Sequence, residues 1–222
     1  MRTVIFDLDG TLADTSGDLI AAANACFGGL GLGAPLDPSA DQATAFRGGR
    51  AMLRLGFERA RPGWAEADID AQFPLLLDAY ARQIDVFTAL YPGALEAVER
   101  LREAGFAVGI CTNKPEGLAE TLLARLGIRD RFASLIGADT LPVRKPDPAP
   151  LRAAVERAGG SLTRAMLVGD TVTDRETARA AGVPCALVTF GPEGGAVAAL
   201  KPEALLDDFD SLFDVAARLL PG

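Results

Sequence analysis

Between residues 91 and 190 of this 222-residue chain, short apolar runs alternate with stretches of helical period, and few folds accommodate that alternation. The runs lie at residues 107–111, 134–137, 165–169 and 184–190. Runs that are apolar throughout suit strands covered on both faces. Between them, residues 93–104 place Leu95, Val98 and Leu101 on one side, and residues 115–126 do the same with Leu118, Leu122 and Leu126. Residues 148–158 and 174–181 are further helices, each followed by a glycine suited to the position just past a helix end. The repetition predicts an α/β fold: a doubly wound, mostly parallel sheet with a Rossmann-like arrangement and helices on both faces. Residues 3–8 form one more β-branched run, separated from the others by an interval without a convincing strand. That interval reads as helices at residues 18–30, 51–61 and 65–87, the last interrupted at Pro74. Gly- and Pro-rich breaks at 31–38 and 61–63 divide them, and residues 191–195 read as a loop. The economical organisation is an α/β core of residues 1–14 and 88–222 with a small helical module, residues 15–87, inserted after the first strand.

Residues able to do chemistry gather at the predicted strand ends, where open α/β sheets bind their ligands. The first run closes in Asp7-Leu8-Asp9-Gly10-Thr11. Two carboxylates so close repel each other unless a cation or proton lies between them. An Asp- and Gly-rich turn is the plain alternative. The run at 165–169 closes in Gly169-Asp170-Thr171-Val172-Thr173-Asp174, where Asp174 also suits a helix N-cap. Two acidic clusters at two strand ends of one sheet predict a divalent metal. Oxygen ligands alone favour Mg²⁺ over zinc. The run at 107–111 leads into Thr112-Asn113-Lys114-Pro115, and Pro115 at a first helical position leaves Thr112 and Asn113 at a helix entrance that favours phosphate. Cys111 has nothing to activate it and reads as a core residue. Lys145, in Arg144-Lys145-Pro146-Asp147-Pro148, is either a functional ammonium or half of a structural ion pair.

Composition narrows the chemistry. There is no histidine, which removes Ser-His-Asp triads and the usual zinc and iron ligand sets. Of 22 basic residues, 19 are Arg and only Lys114, Lys145 and Lys201 are Lys, so each lysine marks a candidate site for a compact ammonium. A net charge of −8 argues against nucleic-acid and anionic-membrane partners. The cysteines (Cys26, Cys111, Cys185) are scattered, as in a reducing compartment, and no apolar run is long enough to span a bilayer. A cytoplasmic location is expected.

The order Asp-x-Asp-Gly-Thr, then Thr, then Lys, then Gly-Asp-x-x-x-Asp resembles the haloacid dehalogenase superfamily of phosphatases, across all four motifs and nearly the full length. Residues 15–87 look like its mobile cap of the C1 type. Finer wording is similar to the phosphoglycolate phosphatase branch: Leu12-Ala13-Asp14-Thr15, residues 18–24, Tyr91-Pro92-Gly93, Thr112-Asn113-Lys114-Pro115 and Lys145-Pro146-Asp147-Pro148. The resemblance implies an Mg²⁺-dependent phosphomonoester hydrolase acting through an aspartyl-phosphate on 2-phosphoglycolate or a similar small phosphorylated metabolite, as a monomer or homodimer. It implies that Asp7 attacks phosphorus, and that Asp9 protonates the leaving alkoxide and then activates water. Asp7 and Asp170 would hold Mg²⁺ together with Asp9, whose backbone carbonyl joins the shell. Asp174 would orient the metal's waters or Lys145. Thr112, Asn113 and Lys145 would hold the phosphoryl oxygens. At residues 46–50, Phe-Arg-Gly-Gly-Arg departs from the branch's loop, and Arg47 and Arg50 read either as a bidentate grip on a substrate carboxylate or as solvated charge. Thr189-Phe190-Gly191-Pro192 departs from the branch as well. A phosphoglucomutase-like transferase or a sugar-phosphate phosphatase would share the same core. A dehalogenase has no use for Asp9, and a receiver-like phosphoacceptor domain would be shorter and would avoid a group placed to destroy its phosphoaspartate.

Overall fold

The structure is a computed structural model that describes residues 1–221. The chain divides into two compact units, one made of Met1–Asp14 with the chain from Leu90 onward, the other of Thr15–Ala89.

The first unit is built on a six-stranded sheet. Its strands are β1 (Thr3–Phe6), β4 (Ala107–Cys111), β5 (Ser134–Ile136), β6 (Ala165–Gly169), β7 (Cys185–Val188) and β8 (Ala204–Leu206), in the order β5-β4-β1-β6-β7-β8. Strands β2 (Ala13–Asp14) and β3 (Ala89–Leu90) form a separate two-stranded ribbon. Every neighbouring pair in the large sheet is parallel. β1, β4 and β6 are buried along their whole length, as expected of strands covered on both faces.

Helices cover both faces. On one side α7 (Pro148–Arg157) and α8 (Val172–Ala181) lie over Ile5, Ile136, Leu167 and Leu187. Strand side chains alternate, so Val4 and Phe6 face the other way. Also in this unit, α5 (Ala94–Glu103) packs against β4 and α9 (Leu212–Leu219). α6 (Glu116–Arg125) lies beside β5.

Register is what assembles the site. Phe6 lies opposite both Ile110 of β4 and Val168 of β6. β1 therefore stops one residue short of β4 and β6: Asp7 stands level with Cys111 and Gly169, and Thr112 and Asp170 follow one step further on at the same carboxyl edge. The ladder continues one step beyond the strands: the Asp7 N–H donates to the Val168 carbonyl (2.9 Å) and the Thr112 N–H to the Ile136 carbonyl (2.9 Å).

The second unit is helical: α1 (Ser16–Gly29), α2 (Gln42–Ala45), α3 (Gly49–Ala60) and α4 (Glu66–Arg82). Its core holds Ile20, Phe27, Phe57, Ile69 and Leu76, with the Phe27 and Phe57 rings edge to face at 5.1 Å. Buried Asp18 of α1 accepts from the Phe87 and Thr88 N–H groups and the Thr88 hydroxyl, tying the end of this unit to its first helix.

Three sequence expectations need correction, and two elements lie where none was stated. α4 runs unbroken through Pro74. The ring removes one intrahelical donor, yet Ile69, Leu76 and Tyr80 bury the same face on both sides of it, and that packing holds the turns in line. Residues 194–200 form a 3₁₀ helix where a loop was expected over 191–195. β8 and α9 add a strand and a helix beyond residue 190; β8 is a three-residue edge strand with no β-branched residue, too short to leave a period. Asp174 is not an N-cap: α8 begins at Val172 with Thr171 as its cap, which puts Asp174 in the first turn.

Candidate active site

Asp7 stands at the end of β1, and its position depends on the turn that follows. Gly10 adopts φ +79°, open to glycine at little cost. The chain then doubles back so that the Leu8 carbonyl accepts from the N–H groups of Thr11, Leu12 and Ala13. One Asp7 carboxylate oxygen accepts from the Leu8 N–H at 2.7 Å, and the other meets the Lys145 ammonium at 2.9 Å. The Thr11 hydroxyl is carried round to donate to Asp170 at 2.8 Å.

Lys145 is buried and lies 2.6 Å from Asp174. Asp174 holds its own place by accepting, on its other oxygen, from the Thr171 hydroxyl (2.7 Å) and the Thr171 and Asp170 N–H groups. This is the return half of a capping box, so the helix terminus and the site share one carboxylate. Burial alone would strip the proton from Lys145. The carboxylates of Asp174 and Asp7 outweigh it and hold the ammonium above the usual lysine range. Asp7 shows the converse: burial pushes its carboxyl up to about 6, helped by Asp174 and Asp9, while Lys145 pulls only part of the way back. Asp170 is raised well above the carboxylate range by burial and by the neighbouring Asp174 and Asp7.

A carboxylate oxygen from each of Asp7, Asp170 and Asp174 lies within 4.8 Å of the other two. Asp170 Oδ2 is buried with no hydrogen-bond partner among the described residues. A buried orphan oxygen inside a crowd of carboxylates is costly unless a cation completes it. The donor set therefore fits a hard divalent cation, and Asp170 brings to it the trio's buried oxygen that has no hydrogen-bond partner. The Asp9 carboxylate is not in this trio; it meets the Lys114 ammonium at 2.8 and 3.1 Å.

Of the other expected residues, Thr112 is buried at the end of β4, and its hydroxyl accepts from the Lys114 N–H at 3.2 Å. The Asn113 amide donates to the Lys145 carbonyl at 3.0 Å, which fixes the lysine's loop. Cys111 is a core residue whose thiol burial pushes up to about 12. Arg47 and Arg50 belong to the helical unit. Arg50 bonds to Asp70 of α4, lies 4.0 Å from Glu66 and sits over the Phe73 ring. Two residues that sequence reasoning left without a role stand in the site, Thr11 and Lys114. Lysine scarcity was the signal for the second.

Comparison with known proteins gives the family. The profile of the haloacid dehalogenase-like hydrolases matches residues 1–182. The chain belongs to that family. It is 38% identical to the phosphoglycolate phosphatase of Mesorhizobium japonicum over 98% of this chain and 96% of that one. It is 40% identical to the phosphoglycolate phosphatase of Rhodospirillum rubrum over 100% of this chain and 93% of that one. In fold it is similar to the crystal structure of a predicted phosphoglycolate phosphatase from Haemophilus somnus, with a TM-score of 0.85 at 24% identity over 97% of each chain. The chain is thus a haloacid dehalogenase-like hydrolase of the phosphoglycolate phosphatase-like branch. No helix among its described residues is long and apolar enough to cross a membrane.

Proposed function

We propose that this hydrolase cleaves small phosphate monoesters, 2-phosphoglycolate foremost, through an aspartyl-phosphate on Asp7, with Mg²⁺ as its metal. The observation that carries the reading is the state of Asp7. Within the carboxylate trio it alone keeps an open edge, 13% of the side chain, whereas Asp170 and Asp174 are sealed. A nucleophile must be reachable. Its partner Lys145 spans Asp7 and Asp174, placing a fixed positive charge where phosphoryl oxygens would gather.

Asp7 attacks phosphorus in line while the P–O bond to the alkoxide breaks. Asp9 gives that alkoxide its proton, and the alcohol departs. Asp9 then takes a proton from water, whose oxygen attacks the phosphoaspartate, releasing inorganic phosphate and restoring the Asp7 carboxylate. The Thr112 hydroxyl, the Asn113 backbone N–H and Lys145 hold the transferred oxygens. Mg²⁺ bound by Asp7, Asp170 and the Asp9 carbonyl would screen the repulsion between carboxylate and phosphate dianion. The names carried by the two relatives support the substrate, and the three scattered, buried thiols fit a reducing cytoplasm. A panel of phosphorylated metabolites assayed with Mg²⁺ and with EDTA tests the reading. Metal-dependent release of phosphate, fastest from 2-phosphoglycolate, is expected. Turnover that requires an added sugar bisphosphate would make the chain a phosphoryl transferase instead.

A further inference from the structure

We infer that Lys114 is a specificity-determining residue, the cation that reads a carboxylate placed next to the phosphate ester of the substrate. The inference rests on the function proposed above and deepens it. Two of the chain's three lysines are buried, and both stand at the carboxyl edge of the sheet. Lys145 is matched by Asp7 and Asp174, on the phosphoryl side. Lys114, 6% exposed, is held from the end of β4 with its ammonium 2.8 and 3.1 Å from the two oxygens of Asp9. Burying an ammonium is costly, so a chain that otherwise uses arginine has placed this one for a reason of shape and charge.

Asp9 marks where the leaving oxygen goes. In an ester of the glycolate type a single methylene separates that oxygen from a carboxylate carbon. A cation within hydrogen-bond distance of Asp9 therefore stands within reach of that carboxylate, and for an ammonium this buried the contact is worth more than at a surface. A leaving group without charge offers Lys114 nothing comparable. Arg47 and Arg50 carry such a grip in one of two sequence readings; in the structure Arg50 bonds to Asp70 and lies 4.0 Å from Glu66.

The test compares 2-phosphoglycolate with ethyl phosphate, which has the same two carbons and no carboxylate, as substrates of the full chain with Mg²⁺. The wild type should prefer phosphoglycolate in kcat/KM. Lys114→Met should cut that preference on the order of 30- to 100-fold, chiefly through KM for phosphoglycolate. Lys114→Gln keeps a donor for Asp9 without the charge and should do the same, which covers a failure of the methionine variant to fold; Lys114→Arg should restore part of the preference. If both substrates lose kcat/KM by one common factor in Lys114→Gln, the lysine serves Asp9 alone and the inference is wrong. A preference that survives in both uncharged variants overturns it equally, while the proposed substrate stands. A wild type that does not favour phosphoglycolate overturns the substrate reading and this inference together.

Discussion

One ammonium, that of Lys145, answers two carboxylates and is buried with them. Such an arrangement tolerates little change in shape. Lys145→Arg keeps the charge but brings a planar group wider than the space between Asp7 and Asp174, and kcat/KM should fall by about 100-fold or more. Lys201, exposed at the end of the 3₁₀ helix, should accept arginine without effect. Equal losses at the two positions would dismiss the site's demand for a compact cation. The two aspartates of the first motif should separate kinetically. Asp7→Asn loses the nucleophilic charge and should reduce turnover to background. Asp9→Asn should slow the reaction about 10²- to 10⁴-fold and leave phosphoenzyme that can be trapped by acid quench. Background-level labelling together with normal turnover in Asp9→Asn would remove that residue from proton transfer.

At the scale of elements, the site is a property of where strands stop and helices begin. β6 hands directly to α8, and the junction is tight. A Cβ built on Gly169 would lie 2.4 Å from the Cβ of Asp174. The neighbour is the stem of a carboxylate fixed by Lys145 and Thr171, so it cannot move aside without breaking those bonds. Gly169→Ala should therefore lower both stability, by about 2–3 kcal/mol in urea unfolding, and activity. Loss of stability with unaltered activity would show that Asp174 can shift without dragging Lys145. The helix ends carry the same logic. Thr171 caps α8 while the Asp174 carboxylate closes the capping box and serves the lysine, so one residue stabilises an element and aims a functional group.

At the scale of the whole molecule, the carboxylate cluster makes stability depend on pH and on cations. The Asp7 carboxyl titrates near 6 in the folded chain, against 3.8 as its ordinary value. Between those pH values the folded state binds more protons than the unfolded one, so stability falls as pH rises from about 4 through 6 and then levels. Asp170 acts in the same direction. The Asp7 contribution is on the order of 2–3 kcal/mol. A bound divalent cation favours the charged carboxylates and reverses the loss. Thermal unfolding in EDTA and in Mg²⁺ should show a larger gain in Tm at pH 7.5 than at pH 4.5. A gain of the same size at both would separate cation binding from these acids.

Whatever is local in this fold could be read from the residues alone. Strands at 107–111 and 165–169, the helices between them and the helical stretch after the first strand all follow from periods of a few residues, because burial on one or two faces imposes those periods wherever the segment ends up. The acids and the lysine were visible as strand-end residues for the same reason. Distances across the fold were not. Lys114 and Asp9 are 105 residues apart and Lys145 and Asp174 are 29 apart. Their meeting depends on β1 lying between β4 and β6 in parallel register, and no run of side chains encodes its neighbour in a sheet. The same holds for Arg50, whose neighbours Asp70 and Glu66 stand beside it only because of how α3 and α4 pack. Pro74 reads as a break only in a helix standing alone, and the burial of Ile69, Leu76 and Tyr80 against the rest of its unit decided otherwise. Local pattern chooses the elements, but which charges end up paired is settled by packing, since pairing energies depend on separation and burial that exist only once the chain has folded.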